Sequence, residues 1–333
     1  MATLTNRHDI LILFEVINGN PNGDPDAGNM PRRDPNTERG IVTDVCLKRK
    51  IRNFVELYPP ERQSCDTNGF NILIKQGAVI ETEQKKGEDA AVAAVAKGEL
   101  PKSDKDKQAE YAIQWLCREF YDLRTFGGVV STGNGVLKGS AFGQVRGPVQ
   151  FTFGQSVDPI SPMEVSITRC AVTAEKDKGK ERTMGNKYIV PYALYVAKAY
   201  VSPAFAEKTG FTDEDLEVFF KALEWMFSPD PSAARAEMAV RGIYDFEHVG
   251  THADATDDVQ KRQNLKEAKL GCAHAHKLFE GVKIALKPGK ERPSSFCDYD
   301  VDNTWTEEIL PEDKLPKGKN NLPKGVVLHV RGV

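Results

Sequence analysis

The strongest chemical signal in the sequence is a basic cluster at residues 30–53 that is suited to binding phosphate. This stretch, MPRRDPNTERGIVTDVCLKRKIRN, contains the acids Asp34, Glu38 and Asp44 and seven bases: Arg32, Arg33, Arg39, Lys48, Arg49, Lys50 and Arg52. Cationic side chains and the backbone N–H groups at a helix start can bind phosphate oxygens together. The alternative is a solvated cationic face, and the cluster alone does not decide between the two.

A helix over 44–57 must position the second half of the cluster. Its sequence places apolar residues near helical spacing, Thr43 is a suitable N-cap, and Pro59-Pro60 ends the segment: Val45, Leu47, Ile51, Phe54 and Val55 form the apolar side. Lys48 and Arg52 are four residues apart, with Arg49 beside them. The sequence therefore predicts that these three cations share a solvent face opposite the apolar side.

The loop carboxylates Asp24, Asp26 and Asp34 are candidates for holding a cation. They lie in and after a run of turn-forming residues at 18–26, which ends a strand predicted over 8–17. Turn chemistry explains these carboxylates without a metal. Since no Gly-x-Ser-x-Gly motif or metal-ligand spacing is present, we expect no catalytic residues, no metal and no cofactor.

Seven glycines occur between residues 127 and 147, in the stretch GGVVSTGNGVLKGSAFGQVRG. No Gly-Lys-Ser/Thr closes a Walker loop there, and the glycine spacing is one residue too long for a dinucleotide fingerprint. Glycine lets one backbone approach another closely. The segment therefore suits a contact with RNA or with another protein, and equally an ordinary bulge.

A projecting hairpin is predicted from two strand-like arms, 166–174 and 184–192, around a charged tip at 175–182. Its cations Arg169, Arg182 and Lys187 are placed to touch phosphate. Met184 is placed to insert between bases, which stack on side chains in single-strand binding proteins. The alternative is an ordinary hairpin with Met184 in the core.

The remaining pattern predicts an α+β fold rather than a parallel α/β sheet. Strands are expected over 70–80, 145–154, 165–173, 188–201, 240–248, 282–286 and 326–331, and helices over 109–121, 212–227 and 259–279. Residues 81–108 are interpreted as a charged surface insertion with little to anchor it in a core. Residues 287–324 are interpreted as an irregular tail, and the whole chain of 333 residues as one domain.

Net charge is a poor guide to the partner of this protein. The chain has 45 Lys and Arg against 48 Asp and Glu, for a net charge of −3, which by itself disfavours nucleic acid. The charge is unevenly distributed, however, because residues 30–53 carry +4 while residues 207–258 carry thirteen acids and four bases. Screening over about 8 Å makes such local clusters matter more than the total.

The sequence favours a cytoplasmic protein without a membrane partner. The apolar run Ile10–Phe14 near the N-terminus is far shorter than the roughly 20 residues of a membrane span. No secretory cleavage pattern follows it. The six cysteines form no C-x-x-C pair, so we expect reduced thiols in a cytoplasm.

Several of these segments resemble the Cas-seven (Cas7) backbone subunits of CRISPR surveillance complexes. The Csd-two type of type I-C Cascade is the most similar. The resemblance is carried, in the order of the family, by NGNPNGDP at 18–25, PRRD at 31–34, VTDVCLKRKIR at 42–52, DLRTFGG at 122–128, YIVPY at 188–192 and RGIYDFEH at 241–248.

The resemblance implies an RNA-recognition-like (ferredoxin-like) palm with a thumb β-hairpin at 163–192 and finger and web insertions, among them a basic loop at 18–43. It implies copies that line up as a helical filament along one CRISPR RNA and kink it, so that the guide pairs with a target DNA strand. Further partners would be the handle-binding, large and small Cascade subunits. The predicted RNA-binding residues are Arg32, Arg33, Lys48, Arg49, Arg52, Arg124, Arg146, Arg169, Met184, Lys187 and Arg241.

Two functions remain open from the sequence. The first is a non-enzymatic RNA-binding subunit of a complex whose target is cut by a separate, recruited helicase-nuclease. The second is a metal-dependent ribonuclease of the same superfamily that uses Asp24, Asp26 or Asp34.

Overall fold

The computed structural model describes residues 3–60, 69–131, 135–172, 174–177, 179, 184–306 and 309–332. Its α-helices are α1 Asp44–Leu57, α2 Ile80–Ala96, α3 Lys105–Glu119, α4 Tyr121–Phe126, α5 Pro203–Thr209, α6 Asp213–Trp225, α7 Asp258–Leu270 and α8 Ala275–Glu280. Its strands are β1 Arg7–Gly19, β2 Gly23–Asp24, β3 Met30–Pro31, β4 Arg39–Val42, β5 Gly127–Val129, β6 Gln144–Arg146, β7 Val149–Phe151, β8 Gly154–Pro159, β9 Met163–Thr168, β10 Met184–Val201, β11 Glu237–His248, β12 Val282–Leu286, β13 Tyr299–Asn303, β14 Trp305–Thr306, β15 Asn320–Asn321 and β16 Val326–Arg331.

An antiparallel sheet organises the chain. Its strand order is β16-β11-β1-β10-β8-β4, and β7 and β9 also pair with β10. The central strand β1 pairs with β10 from His8 opposite Val201 to Gly19 opposite Val190. On its other side β1 pairs with β11, with a register shift between Leu13 and Phe14. The predicted mixed class of helices and strands is therefore confirmed.

The two faces of the sheet carry separate cores. Even-numbered residues of β1, such as Ile12 and Phe14, pack against α1 and α6. Odd-numbered residues, such as Leu11 and Leu13, lie on the opposite face. This alternation follows from the two-residue period of a strand, and it makes β1 a continuous apolar run because both faces are covered.

The second face is covered by the C-terminal part of the chain. Its core unites residues of β10, β11, α8, β12, β13, the segment before β16 and β16 itself: Tyr192, Leu194, Tyr244, Phe246, Leu278, Phe279, Val282, Tyr299, Leu322 and Val326. Within 287–324, predicted as an irregular tail, Tyr299 and Leu322 are thus buried. Sparse apolar residues anchor this segment although its local pattern is weak.

Several predicted elements are confirmed. The strand over 8–17 is β1, and the helix over 44–57 is α1, whose N-cap Thr43 accepts a hydrogen bond from the backbone N–H of Cys46. The helix from residue 212 is α6, and Thr212 and Asp215 form a reciprocal capping box at its start.

Three predicted elements are wrong. Residues 145–154 do not form one strand, because β6, β7 and the start of β8 divide this stretch. Residues 70–80 form no strand, because the backbone N–H groups of Leu73 and Ile74 donate to Asp122 at 2.8 and 3.0 Å instead of to a neighbouring strand. The helix predicted over 259–279 is two helices, α7 and α8. Gly271, at φ +109°, ends the first of them.

Residues 81–108 also differ from their prediction, because they are anchored in a core. They form α2 and the beginning of α3, and Ala91 is buried in a cluster with Ala112 and Leu116 of α3. Ala94 of α2 is buried as well. A Cβ on Gly87 would lie 2.7 Å from Leu116 Cγ, so the two helices approach closely there. Small residues supply this packing, which is why the charged sequence concealed it.

None of the helices in the described ranges is long and apolar enough to cross a membrane.

Candidate nucleic-acid interface

A cleft of about 1050 Å³ lies where the loop after β1, the exposed side of α1, the end of α4 and the segment before β11 meet. Seven of its lining residues are cationic: Arg32, Lys48, Arg49, Lys50, Arg52, Lys75 and Arg235. None of the lining residues in the described part of the chain is an Asp or a Glu. The loop after β1, α1, the segment at 74–76 and the segment before β11 each contribute at least one of these cations, so the lining is suited to a polyanion.

The loop after β1 is held rigidly at the cleft. The Asn20 backbone N–H donates to the Ala234 carbonyl at 2.7 Å, and Asn22 Oδ1 accepts from the Thr43 N–H and hydroxyl at 2.9 and 3.0 Å. These bonds join the loop, the segment before β11 and the N-cap of α1. The helix start, with its partial positive charge, thus belongs to the cleft wall.

Most of the cleft cations are positioned by carboxylates that do not themselves line the cleft. Asp230 binds both Lys50 and Arg235, Asp44 binds Lys48 at 3.1 Å, Asp24 binds Arg32 at 3.4 Å, and Glu56 binds Lys75 at 3.3 Å. Burial, followed by repulsion from Arg235, lowers the pKa of Lys50, and Asp230 opposes that shift. Pairing of this kind orders the side chains at the wall, although exposed pairs contribute little stability.

Arg49 differs from the other cleft cations. Its side chain is exposed, and it makes no ion pair with any residue in the described ranges. Its guanidinium donates to Gln76 Oε1 at 3.1 Å, which orients it across the cleft. Because a guanidinium binds phosphate oxygens in a forked geometry, Arg49 is the cleft residue best prepared for a phosphate.

The predicted solvent face shared by Lys48, Arg49 and Arg52 is wrong for Arg52. Its side chain is buried, with Nε donating to Asp122 Oδ2 at 2.8 Å and the guanidinium 5.2 Å from the centre of the Phe126 ring. The helix is enclosed on two sides, by α6 and by the segment at 70–74, so its buried side is wider than the apolar pattern indicated. Val45, predicted to be buried, is 61% exposed at the cleft.

Arg124, another predicted RNA-binding residue, lies inside the protein. Its side chain is 3% exposed and donates to both carboxylate oxygens of Asp215, at 3.0 and 2.8 Å. It also donates to the carbonyls of Cys117 and Gly69 at 2.7 and 3.0 Å. These bonds tie α4 to α6, so the structure gives Arg124 a role in holding the fold.

The other predicted residues lie outside the cleft lining. Arg33 pairs with Glu38, Arg146 stacks at 5.0 Å on the ring of Phe205, and Arg241 donates to Glu15 Oε1 at 2.7 Å. Arg33 and Arg146 are exposed.

The predicted hairpin has paired arms. β9 pairs with the beginning of β10, from Met184 opposite Thr168 to Ile189 opposite Met163. The first arm is shorter than predicted, because β9 ends at Thr168 and leaves Arg169 exposed beyond it. Met184 is 68% exposed, so it is not a core residue, and Lys187 is partly buried. Arg182 lies outside the described residues.

Two of the three loop carboxylates, those of Asp24 and Asp34, accept hydrogen bonds in local turns. Asp24 accepts from the Asp26 N–H and pairs with Arg32, and Asp34 accepts from the N–H groups of Asn36 and Thr37 at 2.8 and 2.9 Å. The hydrogen bonds from Thr37 and Asn36 hold the pKa of Asp34 below its usual range. Across the described ranges, no three His, Cys, Asp or Glu side chains are grouped to hold a metal.

Gly127, in the predicted glycine-rich segment, borders the cleft and is required by its backbone. Its φ is +76°, and a Cβ there would lie 2.3 Å from the Val145 carbonyl oxygen. Gly147 lies at the same close contact between backbones, because a Cβ on it would lie 2.3 Å from the Phe126 carbonyl carbon. The close approach therefore occurs within this chain, at the base of the β5–β6 hairpin.

Replacement of Gly127 with alanine is expected to lower the free energy of unfolding by more than about 1 kcal/mol, because both the φ and the contact are unfavourable. Urea unfolding followed by circular dichroism measures this change. Gly128→Ala is the matched control: its Cβ would meet only Leu123 Cδ1 at 3.4 Å, and its φ is not positive. Equal unfolding midpoints for the two variants would contradict the assignment.

Sequence reasoning missed Lys75 and Arg235 as cleft residues. Lys75 was placed in a strand that does not form. Arg235 is one of only four bases in the stretch 207–258, which carries thirteen acids. Only the fold brings Arg235 to the cleft, through the hydrogen bond between Asn20 and Ala234. No local signal distinguished either residue.

A protein-family model and a curated relative both match a large part of this chain. The family described as CRISPR-associated protein Cas7 matches residues 6–304 of this chain. A CRISPR-associated protein Cas7 from Haloferax volcanii is 27% identical over 229 residues, which make up 65% of this chain and 62% of the relative. The chain thus spans about three fifths of the length of that curated relative.

Two solved structures are also similar to the chain. One is described as a CRISPR RNA-guided surveillance complex and has 15% identity and a TM-score of 0.41, covering 72% of this chain and 68% of its own. The other is described as a CRISPR RNA-guided surveillance complex, pre-nicking, and has 17% identity and a TM-score of 0.45, covering 78% of this chain and 85% of its own.

Proposed function

Because the chain belongs to the Cas7 family of CRISPR-associated proteins, we propose that it is an RNA-binding backbone subunit of a CRISPR surveillance complex and that its cationic cleft holds the phosphates of the guide RNA. The observation that carries the proposal is the cleft lining, with seven cations and no acid among the described residues. Phosphate contacts give sequence-independent affinity, which a subunit repeated along a guide requires.

The covered sheet supports binding in the cleft. RNA-recognition modules stack bases on aromatic side chains of an exposed sheet face. In this chain the second face of the sheet is packed under α8, β12 and β13, and its aromatic residues Tyr192, Tyr244 and Phe246 are buried. A guide strand is therefore expected at the end of the sheet, where β1 leads into the cleft.

The proposed palm is a ferredoxin-like unit within a single domain, 1–333. The order β11-β1-β10-β8, with α1 following β1 and α6 preceding β11, supports it because this is the order of a four-stranded split βαβ sheet. The loop at 18–43, the insertion at 81–108 and the tail at 287–324 would elaborate this palm. The hairpin at 163–192 would be the thumb, with Arg169, Met184 and Lys187 at the RNA.

The resemblance of the sequence motifs extends the proposal to a type I-C Cascade of the Csd-two type. Copies would polymerise along one CRISPR RNA and kink it, so that the exposed bases pair with a target DNA strand. The handle-binding, large and small subunits would complete the assembly. Target cutting would belong to a separate helicase-nuclease, in keeping with the turn hydrogen bonds that the carboxylates of Asp24 and Asp34 accept.

Size-exclusion chromatography of the purified protein tests this function. The protein is expected to elute as a large species with a high 260/280 absorbance ratio, and treatment with ribonuclease is expected to convert it to monomers free of nucleic acid. A monomer that carries no nucleic acid and binds no added CRISPR RNA would contradict the proposal.

Labelled complementary RNA with Mg²⁺ tests the catalytic alternative on the same preparation. The backbone subunit is expected to leave this RNA intact. Periodic cuts that disappear in Asp24→Ala, Asp26→Ala or Asp34→Ala would show a ribonuclease instead.

A further inference from the structure

Two buried polar atoms in the cleft wall lack a hydrogen-bond partner among the described residues. They are Oδ1 of Asn20, a residue that is 8% exposed, and Nε of Arg32. One is an acceptor and the other a donor. Buried polar groups are nearly always paired in native proteins, so two unpaired atoms of opposite kind in one cleft point to a ligand that supplies both partners.

The Asn20 amide is fixed in the orientation that leaves its oxygen unpaired. Nδ2 donates to the Asn29 carbonyl at 2.7 Å, and the backbone N–H donates to the Ala234 carbonyl at 2.7 Å. The preceding residue must be glycine, because a Cβ on Gly19 would lie 2.0 Å from the Arg235 carbonyl oxygen. The acceptor is therefore held in place before any ligand arrives.

Arg32 is held less tightly. Its backbone N–H donates to the Asn22 carbonyl at 3.2 Å, and Nη2 contacts Asp24 Oδ1 at 3.4 Å. Both orphan atoms are closed to solvent in the free chain, so a ligand reaches them only when the groups that cover them move. The partly exposed Arg32–Asp24 pair is of the kind that yields at little cost.

Resting on the proposed function, we infer that Asn20 Oδ1 accepts a hydrogen bond from a ribose 2′-hydroxyl while Arg32 Nε donates to a phosphate oxygen, so that the cleft selects RNA over DNA. A phosphate oxygen would repel the amide oxygen of Asn20, which requires a donor. The 2′-hydroxyl is the donor that every ribonucleotide carries whatever its base, and DNA lacks it. Recognition of this group keeps the cleft independent of guide sequence.

The test varies ligand and protein together. Wild type and Asn20→Ala are titrated with three oligonucleotides of one sequence: RNA, DNA and RNA with 2′-O-methyl groups, which lack the hydroxyl donor. Wild type is expected to bind RNA about tenfold more tightly than either of the other two. Asn20→Ala is expected to bind all three alike. The bond to Asn29 that the variant also loses cancels in the ratio of affinities.

Asn36→Ala is the matched control, because Asn36 is an exposed amide that does not line the cleft. It is expected to keep the preference for RNA. An RNA-to-DNA ratio that is the same in wild type and Asn20→Ala would overturn the inference and assign the two atoms to internal water. Wild-type protein that binds none of the oligonucleotides would instead contradict the proposed function itself.

Discussion

The double variant Arg49→Ala, Lys75→Ala is expected to bind single-stranded RNA about a hundredfold more weakly than wild type, because each removed cation contributes roughly tenfold through a charge-assisted contact. Both side chains are exposed at the cleft: among the described residues Arg49 makes no ion pair, and Lys75 pairs with the exposed Glu56 alone. The plot of log affinity against log salt concentration is expected to flatten by about 1.4, or about 0.7 per phosphate released from contact. Fluorescence anisotropy over a series of KCl concentrations measures both quantities.

Lys261→Ala, Lys266→Ala is the charge-matched control. Both lysines are exposed on α7, which contributes no residue to the cleft lining. Since charges beyond about 8 Å are screened at physiological salt, this variant is expected to keep the wild-type salt slope. If the cleft variant and wild type had equal salt slopes, the proposal that the RNA phosphates lie in the cleft would be wrong.

Arg124→Ala is expected to lower the free energy of unfolding by about 3–5 kcal/mol, because it leaves a buried carboxylate without its cation. Asp215 is fully buried and accepts two hydrogen bonds from Arg124. The cap bonds from Thr212 to Asp215 remain, but they supply no positive charge. Urea unfolding followed by circular dichroism gives the change.

Two further variants separate a structural role from RNA binding. Arg124→Lys keeps the charge but loses the forked geometry, and we expect an intermediate loss of stability. Arg49→Ala is expected to change the free energy of unfolding by less than about 0.5 kcal/mol, as exposed substitutions do. If Arg124→Ala unfolded like wild type but no longer bound RNA, the role assigned to Arg124 would be wrong.

Local sequence patterns predict the helices and strands whose structure depends on residues of their own segment. β1 and α1 were predictable because apolar spacing, turn residues and a capping threonine agree over 8–57. The absent strand at 70–80 was not, because its backbone N–H groups bond to Asp122, about fifty residues away. Likewise α2 is anchored by the small residues Gly87 and Ala91, whose packing against α3 leaves little trace in a pattern of large apolar residues.

The candidate site was predictable only in part. The cleft lining contains four cations of the basic cluster that were predicted to bind RNA, namely Arg32, Lys48, Arg49 and Arg52. Their contact with RNA stays a prediction. Burial of Arg52 and Arg124 was hidden, because a sequence does not reveal which cations meet a buried carboxylate. Arg235 was missed because it lies in an acidic stretch of the sequence. Acids that are adjacent to it in sequence need not be adjacent to it at the surface.

The most direct test of the cleft as the RNA site is photo-crosslinking. The protein is bound to RNA containing 4-thiouridine, irradiated and digested, and the crosslinked peptides are identified by mass spectrometry. We expect crosslinks in the segments that line the cleft, namely residues 20–23, 45–53, 74–76 and 232–235. Crosslinks confined to α7, to the C-terminal segments or to the β9–β10 hairpin, with none in these segments, would contradict the placement of the guide.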